Sequence, residues 1–192
     1  MRVLITCEYS GAVSRAFRER GHEAYSCDLL PADHAVDEPF HFQRDYREVL
    51  RELGGVDVIV GHPPCTALAV SGNRWYTDTP ERTESVAFVK EMAELFTKHA
   101  RIGWAIENPV GVLSTQWRKP TQYVQPWQFG HGETKKTGLW LDGLPKLNPT
   151  DVVEGREQKV WKMGPSPDRW KLRSATYSGI AEAMADQWGK SL

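Results

Sequence analysis

Most of the features that announce a function are scarce in this sequence. It has three cysteines, Cys7, Cys27 and Cys65, odd in number and far apart. They give neither a disulfide framework nor a zinc-ligand spacing, so no metal site is expected and a reducing, cytoplasmic setting is. No apolar run is long enough to cross a membrane. The opening Met1-Arg2-Val3-Leu4-Ile5 is too short, and too soon followed by Cys-Glu-Tyr, to read as a signal peptide. Charge of one sign is also missing. The formal net charge is -1 and the isoelectric point about 6.6, so a nucleic-acid partner has to be met by a local patch. There is no internal repeat and no low-complexity tract. What remains is one domain over residues 1–192, 40% hydrophobic, with eight tryptophans.

The stretch Asp57-Val58-Ile59-Val60-Gly61-His62-Pro63-Pro64-Cys65 carries the sharpest signal. A β-branched apolar run reads as a buried strand. Two prolines then force the chain out of the sheet, because proline lacks an N–H and has a fixed φ. Cys65 follows at once, at the strand's carboxyl end, where open α/β sheets bind ligands. The thiol is placed like a nucleophile; the plain alternative is a small buried hydrophobe, the commoner fate of a cysteine.

Taken in order, Arg2 to Cys7 reads as a strand, Ala12 to Arg20 as a helix and Glu23 to Cys27 as a second strand. This βαβ unit has Gly11 in its first turn and Asp28 at the tip of strand two, which suits a nucleoside cofactor. An ordinary tight turn and a solvated strand end account for them equally well. Pro39 to Gln43 holds a short third strand. Asp45 stands where an N-cap belongs for a helix Tyr46 to Leu53, or faces the same pocket. Thr66 to Glu84 is polar and turn-rich and reads as a mobile loop beside the thiol. Its Arg74-Trp75 pair suits a base or a phosphate. A helix spans Glu84 to Ala100, and a strand Ile102 to Ile106 runs into Glu107-Asn108-Pro109. There a carboxylate shares the crevice with Cys65 or is a surface acid in a turn. Tyr123 to Phe129 and Gly138 to Leu141 read as two further strands. Residues 151–172 have no clean period and look like an irregular insert. Lys and Arg outnumber Asp and Glu between Lys135 and Arg173. Ser174 to Trp188 closes the chain as a helix.

The ordered set resembles the DNA cytosine-5 methyltransferases, and among them the short versions found in phage genomes. Tyr9-Ser10-Gly11, Asp28-Leu29 and Arg44-Asp45-Tyr46 are similar to the family's first three cofactor motifs. Gly61-His62-Pro63-Pro64-Cys65 is similar to its nucleophile motif, and Glu107-Asn108-Pro109 to its Glu-Asn-Val. Lys135-Lys136-Thr137 before a strand stands where the family has Gln-Arg-Arg. Tyr177-Ser178-Gly179-Ile180 resembles its final motif. The resemblance implies a Rossmann-like α/β fold: a mixed, mostly parallel sheet with helices on both faces. It implies S-adenosylmethionine held by Tyr9, Ser10, Gly11, Asp28, Leu29, Asp45 and Pro63.

It also implies methylation of cytosine carbon 5 in DNA through a Cys65 adduct. Glu107 would give the ring nitrogen a proton, with its pKa raised by burial. Asn108 and Lys136 would orient loop and base, and Pro64, Arg74, Trp75 and Lys135 would contact substrate. Adenine methyltransferases fit less well, since they place an aromatic where Cys65 stands. The family's target-recognition domain is absent; residues 151–172 alone fill its slot. This leaves target choice to a partner subunit, and leaves open a pyrimidine nucleotide or RNA as substrate, or a non-catalytic relic that binds nucleic acid.

Overall fold

The computed structural model describes residues 1–167 and 169–190. Seven strands form one sheet: β1 (Arg2–Thr6), β2 (Glu23–Cys27), β3 (His41–Phe42), β4 (Val56–Gly61), β5 (Ala100–Pro109), β6 (Gln122–Val124) and β7 (Thr137–Asp142). Their order is β3-β2-β1-β4-β5-β7-β6. All pairings from β3 to β5 are parallel, and β7 runs antiparallel to both β5 and β6. The chain leaves β1 towards β2 and returns on the other side as β4. The switch point, where a ligand crevice opens in such sheets, therefore lies between β1 and β4.

Eight helices accompany the sheet among the described residues: α1 (Ala12–Glu19), α2 (Tyr46–Leu53), α3 (Asn73–Tyr76), α4 (Pro80–His99), α5 (Leu113–Gln116), α6 (Lys159–Lys162), α7 (Arg169–Ser174) and α8 (Ser178–Trp188). They cover both faces, and strand alternation shows why. In β1, Val3 and Ile5 pack with Val13 and Phe17 of α1 and with Ile180, Met184 and Trp188 of α8. Leu4, between them, packs on the other face with Val49 and Leu50 of α2 and Val89, Met92 and Phe96 of α4. β4 repeats the pattern, with Val58 and Val60 on one face and Ile59 on the other. This is the Rossmann-like arrangement that the sequence leads one to expect.

Three expectations are corrected. The segment 66–84 is folded rather than a loose loop. Thr79 accepts from the Arg82 N–H as an N-cap and Pro80 opens α4. The buried Arg82 side chain donates to the Ala67 carbonyl at 2.8 Å and to Asn73 Oδ1 at 3.0 Å. Val70 and Val112 N–H groups stitch the segment to residues 110–112. Next, the strand expected over 123–129 is only Gln122–Val124, because Pro126 opens a 3-10 turn. Last, the insert 151–172 contains α6 and the start of α7; its Asp168 lies outside the described residues.

Candidate active site

The cleft at the switch point is an open cavity of about 560 Å3. Four segments wall it: Cys7 to Ser10 beyond β1, His62 to Cys65 beyond β4, Glu107 to Pro109 at the end of β5, and Arg173 to Thr176 at the end of α7 and just beyond it. Lys135, just ahead of antiparallel β7, enters from the same edge.

On the β4–β5 side the two expected chemical groups come together. Gly61 lies opposite Ile106 in the parallel register, so the residues just beyond, His62 and Glu107, are neighbours. A Cβ at Gly61 would stand 2.8 Å from Met92 Sδ and Phe96 Cε2, so glycine lets this strand end settle on α4. Asn108 Nδ2 donates to the Pro63 carbonyl at 2.9 Å and fixes the proline exit. Cys65 starts a tight turn, its carbonyl accepting from the Leu68 and Ala69 N–H groups. Burial pushes the Cys65 thiol up, and the Glu107 charge adds to this; Lys135 and Arg173 pull the other way without overcoming it. The resting thiol is thus less ionised than a free cysteine.

Glu107 overturns its expected ionisation. Burial drives its carboxyl up, but His62, Lys135 and Thr137 outweigh it and hold Glu107 below the ordinary carboxylate range. His62 Nδ1 lies 3.0 Å from Glu107 Oε2. Nothing local in the sequence pairs His62 with Glu107; the strand register does.

The β1–β2 side is organised differently. Glu8 is buried, and its two carboxylate oxygens accept from the Val13 and Ser14 N–H groups at 2.6 and 3.2 Å. A carboxylate therefore fills the N-terminus of α1, the place where dinucleotide folds receive phosphate. The N–H groups that would hold a phosphate there are already taken. Gly11 has φ 69°, and a Cβ there would stand 2.3 Å from Asp37 Oδ2. The space that glycine leaves is thus taken by the buried Asp37, which is ion-paired to Arg15 and Arg18, rather than by ligand. Asp28 Oδ1 accepts from the Leu30 N–H at 2.9 Å, and its Oδ2 has no partner among the described residues. Leu29 beside it is 71% exposed. Asp45 is the N-cap of α2, with Oδ1 accepting from the Arg47 N–H and Oδ2 from its guanidinium. Burial pushes the Cys7 thiol up to about 12, and the Asp28 and Asp45 charges contribute. Those carboxylates therefore stand close to the turn that follows β1.

The remaining expected residues divide. Tyr9 and Ser10 line the cleft. Tyr9 packs on Trp170 at 5.5 Å and its hydroxyl meets Ser174 Oγ at 3.1 Å, so α7 is docked against the first turn. Lys135 is in the cleft and donates to the Ala175 carbonyl at 3.3 Å. Lys136 is not among its walls: its ammonium sits 4.4 Å from the centre of the Tyr123 ring. Successive residues entering a strand point to opposite faces, so only one of the two lysines reaches the cleft. Arg74 and Trp75 also stand apart from the walls; Arg74 stacks on Trp75, which is 70% exposed. Arg173, which sequence reading counted only as part of a basic stretch, lines the cleft. No cluster of metal-ligating side chains occurs among the described residues, and no helix among them is long and apolar enough to cross a membrane.

No family model and no curated protein matches the chain. Among solved structures, the chain is similar to a protein described as a DNA modification methyltransferase encoded within a prophage of E. coli, with a TM-score of 0.53 and 14% identity. The match covers 86% of this chain and 55% of that one, so the chain spans little more than half the neighbour's length. At this identity the likeness establishes the fold, Rossmann-like α/β, and nothing finer.

Proposed function

We propose that the protein is an S-adenosylmethionine-dependent methyltransferase acting on carbon 5 of cytosine in DNA through a covalent Cys65 adduct. The observation that carries this reading is the meeting of Cys65 and Glu107 in one cleft, at the ends of adjacent strands and beside the switch point. A thiol and a carboxylate on one face are what conjugate addition to a pyrimidine needs: a nucleophile for carbon 6 and a partner for the ring nitrogen. The fold neighbour's description, a DNA modification methyltransferase, agrees with it.

The residues present fit the cofactor. The free Asp28 oxygen suits a ribose hydroxyl, exposed Leu29 offers an apolar surface, and Glu8 disfavours any phosphate-bearing alternative. Tyr9, Ser10 and Pro63 would line its pocket, Gly11 would serve it only by turning the backbone that carries Tyr9 and Ser10, and Asp45 would act near it only through oxygens that also cap α2. When bound, the cofactor supplies an electrophilic methyl. Asn108 would hold the Pro63 carbonyl and so the thiol's exit. Lys135 takes the orienting role expected of Lys136, and Arg173 and Pro64 join it against substrate. A flipped base would cost a few kcal/mol to extrude from a duplex, and exposed Arg74 and Trp75 are the pair available to fill the gap. Residues 151–172 would stand in the place of a recognition domain, with target choice left to a partner subunit.

The test is methyl transfer from labelled S-adenosylmethionine to duplex DNA, single-stranded DNA, RNA and deoxycytidine monophosphate, with Cys65→Ala alongside. Label on cytosine carbon 5, lost by more than about 10^4-fold in the variant while cofactor binding persists, is expected. Label on the free nucleotide or RNA alone would move the substrate class. Absence of cofactor binding would leave a nucleic-acid-binding relic.

A further inference from the structure

The register of two strands creates a contact that the thiol and carboxylate alone do not explain. His62 and Glu107 lie opposite each other one step beyond the Gly61–Ile106 pair. Their side chains are 11% and 12% exposed, and Nδ1 meets Oε2 at 3.0 Å. The His62 backbone N–H is tied to the Thr6 carbonyl at 3.0 Å, so the ring has a fixed base. Its second nitrogen, Nε2, is buried without a hydrogen-bond partner among the described residues. The charged and titratable groups that share the cleft wall with His62 are Glu107 of β5, Lys135 ahead of β7, Arg173 of α7, Glu8 and Cys7 of the first turn, and Cys65.

A difficulty in the reading above makes this contact matter. Addition of a thiolate to cytosine needs a proton for the ring nitrogen, and a carboxylate held ionised has none of its own. We propose that His62 is a positioning residue that keeps that proton in reserve, so that the His62–Glu107 pair acts as the acid. The proposal rests on the cytosine methyltransferase reading. As Sγ bonds to carbon 6, the carbon 5–carbon 6 double bond shifts to carbon 4–carbon 5. The carbon 4–nitrogen 3 double bond opens onto nitrogen 3. That nitrogen takes a proton from Glu107, which takes one from His62 Nδ1. One N–H bond is lost on the imidazolium and one is formed on the pyrimidine, so protons and charge balance. At the end a solvent base takes the carbon 5 proton that the methyl replaces, the carbon 5–carbon 6 double bond re-forms as the thiolate leaves, and the nitrogen 3 proton returns to the pair by the same path.

Two measurements test this. In the nitrogen NMR titration of the whole protein, the His62 ring, whose Nδ1 meets Glu107 Oε2, is expected to keep its proton to higher pH in wild type than in Glu107→Gln. Equal titration in the two proteins would overturn the pairing, and this arm needs no His62 variant to fold. In single-turnover methyl transfer to cytosine-containing DNA, His62→Gln is expected to lose about 100-fold at neutral pH. The alkaline limb of the wild-type profile should follow the ring titration and be displaced in the variant. An unchanged rate, or a loss uniform across pH with the limb in place, would overturn the relay. Wild type that labels nothing would instead overturn the methyltransferase reading beneath it.

Discussion

The two sides of the cleft use the same sheet edge in opposite ways. Beyond β1 and β2, the polar groups are largely consumed by the fold itself. Glu8 caps α1, Asp45 caps α2, and Asp37 fills the hollow at Gly11 between two arginines. Among the described residues, buried polar atoms without a hydrogen-bond partner occur on both sides, but Thr6 Oγ1 and Tyr46 Oη lie away from the cleft, whereas His62 Nε2 and Asn108 Oδ1 belong to residues of its wall. A buried polar atom without a partner costs roughly 1–3 kcal/mol, and at His62 and Asn108 a ligand entering the cleft can relieve that cost. The first side shapes a pocket with backbone and holds it rigid. The second presents reactive groups.

The largest effect that tests this contrast is on stability. Gly11→Ala places a Cβ in a left-handed backbone and against Asp37, which cannot yield without breaking a buried ion pair. A loss of about 3 kcal/mol in urea unfolding is expected. Cys65→Ala, on the other side, removes a half-buried thiol with no structural bond and should cost less than about 1 kcal/mol. Similar losses in the two variants would erase the distinction between a structural and a reactive side.

The reactive side was the more legible one in the sequence, and the reason is local. Val58 to Cys65 states its own geometry, since β-branched residues make the strand and Pro63-Pro64 end it. The same holds for Asp45, whose capping role follows from its place before Tyr46. What stayed hidden depends on pairing between distant strands. His62 and Glu107 meet only because β4 and β5 pair with Gly61 opposite Ile106, and no local pattern encodes that register. The choice of Lys135 over Lys136 depends on how the chain enters β7. The folded segment 66–84 carries one local signal of its own: Thr79-Pro80 is an N-cap followed by a first-turn proline. The buried Arg82 that anchors the segment looks like any surface arginine, because burial of a charge is decided by its partners.

An intermediate effect concerns the coupling within the reactive side. The Glu107 charge contributes to raising the Cys65 thiol, so Glu107→Gln should shift the pH midpoint of Cys65 alkylation by iodoacetamide down. The sign follows from the charge: removing a neighbouring anion eases formation of the thiolate. Wild-type alkylation should accelerate with rising pH to above the ordinary thiol range, since burial and Glu107 both disfavour the thiolate. A midpoint that stays put in Glu107→Gln would mean that the two groups do not sense each other.

The smallest effect separates two adjacent lysines and is the finest probe of the cleft's outline. Lys135 lowers the Cys65 thiol, whereas Lys136 lies over Tyr123 and is no wall of the cleft. Lys135→Met should therefore raise the alkylation midpoint of Cys65. Lys136→Met should leave it unchanged, although the two variants have identical net charge. That equality makes the pair informative. A general loss of positive potential would move both midpoints together, and only a directed side chain moves one. Equal shifts would show that the thiol senses the basic stretch as a whole, and that alternation at the start of β7 does not decide which lysine serves the cleft.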